Sequence, residues 1–164
     1  MKLLIIRHAA AVPSGTPGIA DDDRPLTPRG RARFVRAAQG LARLVARPDV
    51  LLTSPLPRAR ATADIAARAF GRIEPTVEPA LARGTLAEIV AAVARHPPKA
   101  TVAIVGHEPT LGSLLARLVQ AGGGAPFAFK KGGAALIHLP DGPGSPGRLL
   151  WFVKPRILRS LASG

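Results

Sequence analysis

Cysteine is absent from the 164 residues, which removes disulfides, cysteine–zinc sites and thiol nucleophiles together. Aromatic residues make up only 4%, too few for a single-strand nucleic-acid surface built on stacked rings. Acidic residues are scarce: 10 Asp and Glu face 23 Lys and Arg, a formal charge of +13. That balance attracts anions, including phosphate groups, acidic proteins and nucleic acid. Long apolar runs are missing too. The opening Met1-Lys2-Leu3-Leu4-Ile5-Ile6 stops at Arg7, and no run approaches the ~18 residues of a spanning helix. The expectation is a cytoplasmic chain with no membrane partner. Hydrophobic residues nonetheless reach 47%, enough for a sizeable core at this length. One domain is expected over 1–155, followed by a tail over 156–164.

The apolar residues come in two rhythms. Leu3–Ile6, Val50–Thr53 and Thr101–Val105 are short, nearly continuous apolar runs, as in strands buried on both faces. Ile73–Val77 reads as a third strand between the last two. Between the runs the period lengthens. Thr27-Pro28 reads as a helix start, and Phe34, Ala38, Leu41 and Val45 follow at helical spacing. Arg33, Arg36, Arg43 and Arg47 fall off that stripe, on a solvated face. Ser54-Pro55 is expected to start a helix the same way, running to about Phe70. Thr85-Leu86-Ala87-Glu88 is a capping box opening a helix to about Arg95. A further helix starts at Pro109, and Gly122-Gly123-Gly124 is expected to end it. Ala134–Leu139 and Leu149–Val153 are expected to pair antiparallel at a sheet edge, and the tail to form a short helix or fray. Alternating strands and helices predict an α/β domain: a three-layer α/β/α sandwich on a mostly parallel sheet.

In such sheets, ligands bind beyond the carboxyl ends of the strands. The predicted strand ends carry unusual residues: Arg7-His8 after the first, Ser54 and Arg58 after the second, His107-Glu108 after the fourth. His96, before a proline pair, and His138, in a predicted edge strand, read as structural or surface residues. Two arginines and two imidazoles beside helix starts make an anion site suited to phosphate. An imidazole nitrogen can itself carry a phosphoryl group. Two histidines and a glutamate could bind zinc, but Arg7 and Arg58 would repel the cation. There is no Gly-x-Ser-x-Gly elbow and no Gly-x-x-x-x-Gly-Lys-Ser/Thr loop.

These residues also form an ordered set. Leu4-Ile5-Ile6-Arg7-His8-Ala9 resembles the Arg-His-Gly signature of the histidine phosphatase (phosphoglycerate mutase-like) superfamily. Arg24-Pro25-Leu26-Thr27-Pro28-Arg29-Gly30 resembles its Pro-Leu-Thr-x-x-Gly element. Ser54-Pro55-Leu56-Pro57-Arg58-Ala59-Arg60-Ala61-Thr62-Ala63 resembles its Ser-x-x-x-Arg-Ala-x-x-Thr-Ala element, and Val105-Gly106-His107-Glu108-Pro109 its second-histidine motif. The short chain and the Gly-His-Glu-Pro form are most similar to small SixA-type phosphohistidine phosphatases.

The resemblance implies a phosphatase with a phosphohistidine enzyme intermediate, needing no metal or other cofactor. His8 would be the nucleophile, with Arg7, Arg58 and His107 holding the phosphoryl oxygens and Ser54 helping to position that pocket. Ala9 departs from the family's glycine. The mutase-like members carry a central acidic residue, but Ala80–Gly84 offers no carboxylate, and Glu78 lies just before it. Acid-phosphatase members place a carboxylate directly after the second histidine, which makes Glu108 a candidate general acid. Its other reading is a carboxylate at a helix start. A phosphohistidine leaving group needs less acid help, so a phosphorylated protein is the preferred partner. The alternatives are a small phosphorylated metabolite and a basic nucleic-acid-binding module. No nucleic-acid motif is present, so no sequence-specific nucleic-acid partner is expected.

Overall fold

The computed structural model describes residues 1–122 and 127–162. In chain order its elements are β1 (Lys2–Arg7), a 3-10 turn (Asp21–Asp23), α1 (Pro28–Leu44), β2 (Val50–Thr53), α2 (Pro57–Ala69), β3 (Pro75–Val77), α3 (Ala80–Arg83), α4 (Leu86–Ala94), β4 (Thr101–Gly106), α5 (Thr110–Leu118), β5 (Ala134–His138), β6 (Arg148–Val153) and α6 (Pro155–Leu161). The strands form one sheet in the order β3-β2-β4-β1-β5-β6. The first four run parallel, and β5 is antiparallel to both β1 and β6. Side-chain parity divides the core. Leu4 and Ile6 join Ala103 and Val105 beneath Phe34, Leu41, Ala63, Ala66 and Leu158, from α1, α2 and α6. Leu3 and Ile5 join Val102 and Ile104 against Leu81, Ile89, Leu111 and Leu114, from α3, α4 and α5. Successive strand residues face opposite ways, so a run apolar at every position must be covered on both sides. The result is the expected α/β/α sandwich.

Local chemistry sets most element starts. The Thr27 hydroxyl accepts from Gly30 N at 2.9 Å, with Pro28 in the first turn of α1. Thr85 and Glu88 cap α4 reciprocally. Three expectations need correction. α2 begins at Pro57 with Leu56 at its N-cap, so Ser54 does not cap it. β5 and β6 pair antiparallel at the sheet edge as expected, but β5, which carries His138, lies inside the sheet and β6 is the edge strand. α5 ends well before the glycines: Gln120, at φ 51, takes the left-handed position, and Ala121 N reaches back to Ala116 O at 3.0 Å. Gly123 and Gly124 of the expected terminator lie outside the described residues. At the C-terminus, α6 is docked on α1 through the buried Leu158. Gly40 permits that approach, since a Cβ there would stand 1.8 Å from the Leu158 carbonyl oxygen. No helix among the described residues is long and apolar enough to cross a membrane.

Candidate active site

The parallel strands all end at one edge of the sheet. There β1 and β2 lead into α1 and α2 on one face, while β4 leads into α5 on the other. Chain paths that diverge between neighbouring strands leave a crevice. The register that sets Arg7 opposite Gly106 brings His8 and His107 together across it, with ring centroids 5.0 Å apart. Arg58 enters from the first turn of α2 and is buried. Ser54, fully buried after β2, lies with its hydroxyl 2.8 Å from His107 Nε2.

The backbone defines the state of His8. Its Nδ1 lies 2.7 Å from the Ala9 carbonyl oxygen, which can only accept. Nδ1 therefore carries the proton and Nε2 the lone pair. The Ala9 N–H donates to Thr62 Oγ1 at 3.0 Å, and Thr62 donates to Arg58 O at 2.6 Å, linking the His8 turn to α2. On the other side the Gly132 N–H bonds the carbonyls of Arg7 and His8. Arg7 donates to Phe129 O. Arg58 donates to Asp21 O at 2.9 Å. Burial lowers both guanidinium groups from their usual value, with Glu108 opposing the fall at Arg7 and Asp21 and Asp22 opposing it at Arg58. Three buried nitrogens have no partner among the described residues: Arg7 Nε, Arg58 Nε and His107 Nδ1.

Four of the nearby carboxylates are engaged. Glu108 Oε1 accepts from Phe129 N at 2.7 Å and Oε2 from Gly112 N at 3.3 Å. Glu78 accepts from Ala80 N and from Arg95. Asp21 accepts from Ser14 and Arg24, which hold its carboxyl below the usual range. Asp22 pairs with Arg83. Of the expected residues, the fold brings together Arg7, His8, Ser54, Arg58, His107 and Glu108. His138 pairs in register with Lys2 at the opposite edge, and His96 follows α4. Sequence reading gave no role to Arg24 and Thr62. Arg24 adds positive charge around Arg58 and His107 while bonding Val12 O and Asp21. Both residues stand inside the quoted motifs, but their contacts cross separate segments of chain.

Burial pushes both imidazoles down. His8 falls to about 3, desolvation being the main cause, with His107, Arg58 and Arg7 adding to it against the Ala9 hydrogen bond. His107 falls to about 4 through burial, then Arg58 and Arg24. Both are neutral at pH 7. The unfolded chain protonates each near 6.5, so within this window it binds more protons than the folded one. Stability therefore drops as pH falls below that value. From about pH 6 to about pH 5 the two should remove about 2 kcal/mol, or roughly 4–8 °C of melting temperature. Circular-dichroism melts read this directly. Replacing both by glutamine should flatten the slope, and an unchanged slope would refute the assignment.

Three comparisons bear on this geometry. A family model for the histidine phosphatase superfamily (branch 1) matches residues 3–83. An uncharacterized protein of Picosynechococcus sp. is 38% identical over 145 residues, covering 87% of this chain and 86% of that protein. The structure of the protein histidine phosphatase SixA complexed with tungstate matches with a TM-score of 0.83 and 25% identity, over 96% of this chain and 99% of that one. A mycobacterial glucosyl-3-phosphoglycerate phosphatase shares the fold at TM-score 0.71 and 17% identity, over 93% of this chain and 98% of that one.

Proposed function

Because the chain belongs to the histidine phosphatase superfamily and is a phosphatase of SixA type, we propose that it removes phosphoryl groups from phosphohistidine on proteins, through a phosphorylated His8 and without a metal ion. The observation that carries this reading is a neutral imidazole ringed by unpartnered nitrogens. His8 Nε2 has a free lone pair, while Arg7 Nε, Arg58 Nε and His107 Nδ1 are buried without partners among the described residues. Buried polar groups in native proteins are satisfied, and a phosphoryl group supplies oxygen acceptors for such donors. Ser54 is a positioning residue. Its oxygen accepts from Leu56 N at 3.2 Å and lies 2.8 Å from His107 Nε2; with the hydroxyl as donor in that pair, His107 Nδ1 carries the ring's N–H.

The step balances without a donor on the enzyme. His8 Nε2 forms a bond to phosphorus as the substrate's P–N bond breaks. The leaving imidazole, protonated on its other nitrogen, departs neutral. Phospho-His8 then mirrors that state: its Nδ1–H stays on the Ala9 carbonyl while water attacks phosphorus. Inorganic phosphate leaves with the water's protons, and His8 returns as a neutral imidazole. Alkyl phosphates instead release an alkoxide that must be protonated. Glu108, with both oxygens on backbone N–H groups, acts here as an anchor between α5 and the segment at Phe129, not as that acid. The engagement of Glu108, Glu78, Asp21 and Asp22 thus supports a P–N substrate.

Side-by-side kinetics tests the choice. A phosphohistidine-bearing protein or peptide should exceed sugar phosphates and phosphoglycerates in kcat/KM by at least ~10-fold, about 1.4 kcal/mol of transition-state binding. A metabolite winning by that margin would establish a small-molecule phosphatase instead. Activity should survive dialysis against EDTA, since Arg7 and Arg58 supply the positive charge that magnesium supplies elsewhere. Loss of activity restored by magnesium or zinc would count against them in that role.

A further inference from the structure

A second concavity, with a volume of about 370 Å³, opens beside the proposed nucleophile. Arg33 of α1, Lys130 and Lys131 of the turn before β5, and Lys154, Arg156 and Arg159 around α6 line it, together with Ala9, Ala10, Phe34 and Pro155. No carboxylate is among the lining residues. Four cations outside the cleft have acidic partners among the described residues: Arg24 and Arg58 in Asp21, Arg83 in Asp22 and Arg95 in Glu78. The six cations of the cleft have neither an ion pair nor a side-chain hydrogen bond among the described residues. Like charges gathered on three elements repel one another, and an anionic partner relieves that repulsion.

The cleft adjoins the reacting group through the backbone. Ala9 and Ala10 continue directly from His8, and Gly132 N bonds the carbonyls of Arg7 and His8 at 3.1 and 3.0 Å. An occupant of the cleft would therefore touch the turn that carries His8. Five of the six cations are exposed, and only Arg159 is half-buried. A lone small anion is best held by convergent, dehydrated donors, whereas exposed charges on flexible stems suit several carboxylates spaced along a chain. Nucleic acid finds no stacking ring here, because Phe34, the one aromatic in the lining, is 2% exposed.

We infer that this cleft docks an acidic segment of the protein whose phosphohistidine is presented to His8, an inference that rests on the phosphatase reading above. The probe is a fluorescein-labelled polyglutamate peptide, titrated against the full chain by anisotropy at low salt. It carries no phosphoryl group, so its binding is measured independently of turnover. The variant Lys131→Glu/Arg156→Glu should weaken binding at least ~10-fold, about 1.4 kcal/mol. The control, Arg47→Glu/Arg148→Glu, makes the same change in net charge. Its residues precede β2 and begin β6, at the opposite edge of the sheet. It should weaken binding by no more than about 3-fold, the share expected of long-range field alone. Equal losses in both variants would reduce the effect to net charge and overturn the docking site. A single-stranded oligonucleotide of equal charge binding ~10-fold tighter than the peptide would overturn the choice of partner. With phosphohistidine peptides, acidic flanks should raise kcat/KM in the wild type, and that advantage should disappear in Lys131→Glu/Arg156→Glu. If phosphohistidine is not hydrolysed at all while polyglutamate binding still maps to the cleft, the phosphatase substrate is wrong and the docking surface stands.

Discussion

His8→Ala is expected to abolish the covalent phosphoryl label and to reduce turnover by at least ~10⁴-fold, about 5.4 kcal/mol of barrier. The reason lies in the protonation state of one ring. Nδ1 is committed to the Ala9 carbonyl, and burial keeps the imidazole neutral down to about pH 3, so Nε2 is a permanent lone pair at working pH. Alanine removes the only group that the proposed chemistry bonds to phosphorus. Brief exposure of the wild type to a labelled phosphate donor, followed by quenching, should yield a label lost in acid and retained in alkali. That pattern distinguishes a phosphoramidate on nitrogen from a phosphate ester on Ser54 or Thr62. Undiminished turnover in His8→Ala, or a label that survives acid, would sink the covalent mechanism.

Arg58→Met should lower kcat by about 10²–10³-fold, the usual cost of deleting one preorganised charged donor from a transition state. Arg58 is held in place before any ligand arrives, by Asp21 O at 2.9 Å and by the packing of the first turn of α2. Its Nε has no partner among the described residues, and its charge reaches both imidazoles. Methionine keeps much of the apolar stem while removing charge and donors together. Arg58→Lys retains the charge but not the planar fork, and should fall between the two. Melting temperatures taken alongside the kinetics separate this loss from unfolding. A folded Arg58→Met variant within tenfold of wild-type kcat would remove Arg58 from the phosphoryl site.

The residues at the centre of the site were legible in the sequence because their positions are local consequences of chain chemistry. A buried strand must be apolar at each residue, so the break from Ile6 to Arg7-His8, and from Val105-Gly106 to His107, marks where the chain leaves the sheet. Thr27-Pro28 and Thr85 with Glu88 mark helix starts by the same local logic. Ser54-Pro55 carries a similar signal and misled, because the Ser54 hydroxyl is taken by His107 from another strand. Gln120, not a glycine, closes α5, since a reach-back hydrogen bond from Ala121 offsets the strain of a positive φ.

By itself, then, the sequence determined the strand and helix types, the alternation that makes an α/β sandwich, and the set of imidazole and guanidinium groups able to handle phosphate. Tertiary structure decided how those groups are used. Only the placement of β4 between β2 and β1 brings His107 beside His8 and Ser54. Only the packed interior holds both histidines neutral, puts the His8 proton on Nδ1 and leaves Arg58 Nε and His107 Nδ1 without a partner among the described residues. Glu108 gains a backbone partner, Phe129 N, 21 residues on. The basic cleft joins α1 to residues near 130 and 155, far apart in the chain. The physical reason is common to all of these. Hydrophobic period and capping act over a few residues. Desolvation, hydrogen-bond competition and charge clustering depend on which distant segments the strand order makes neighbours.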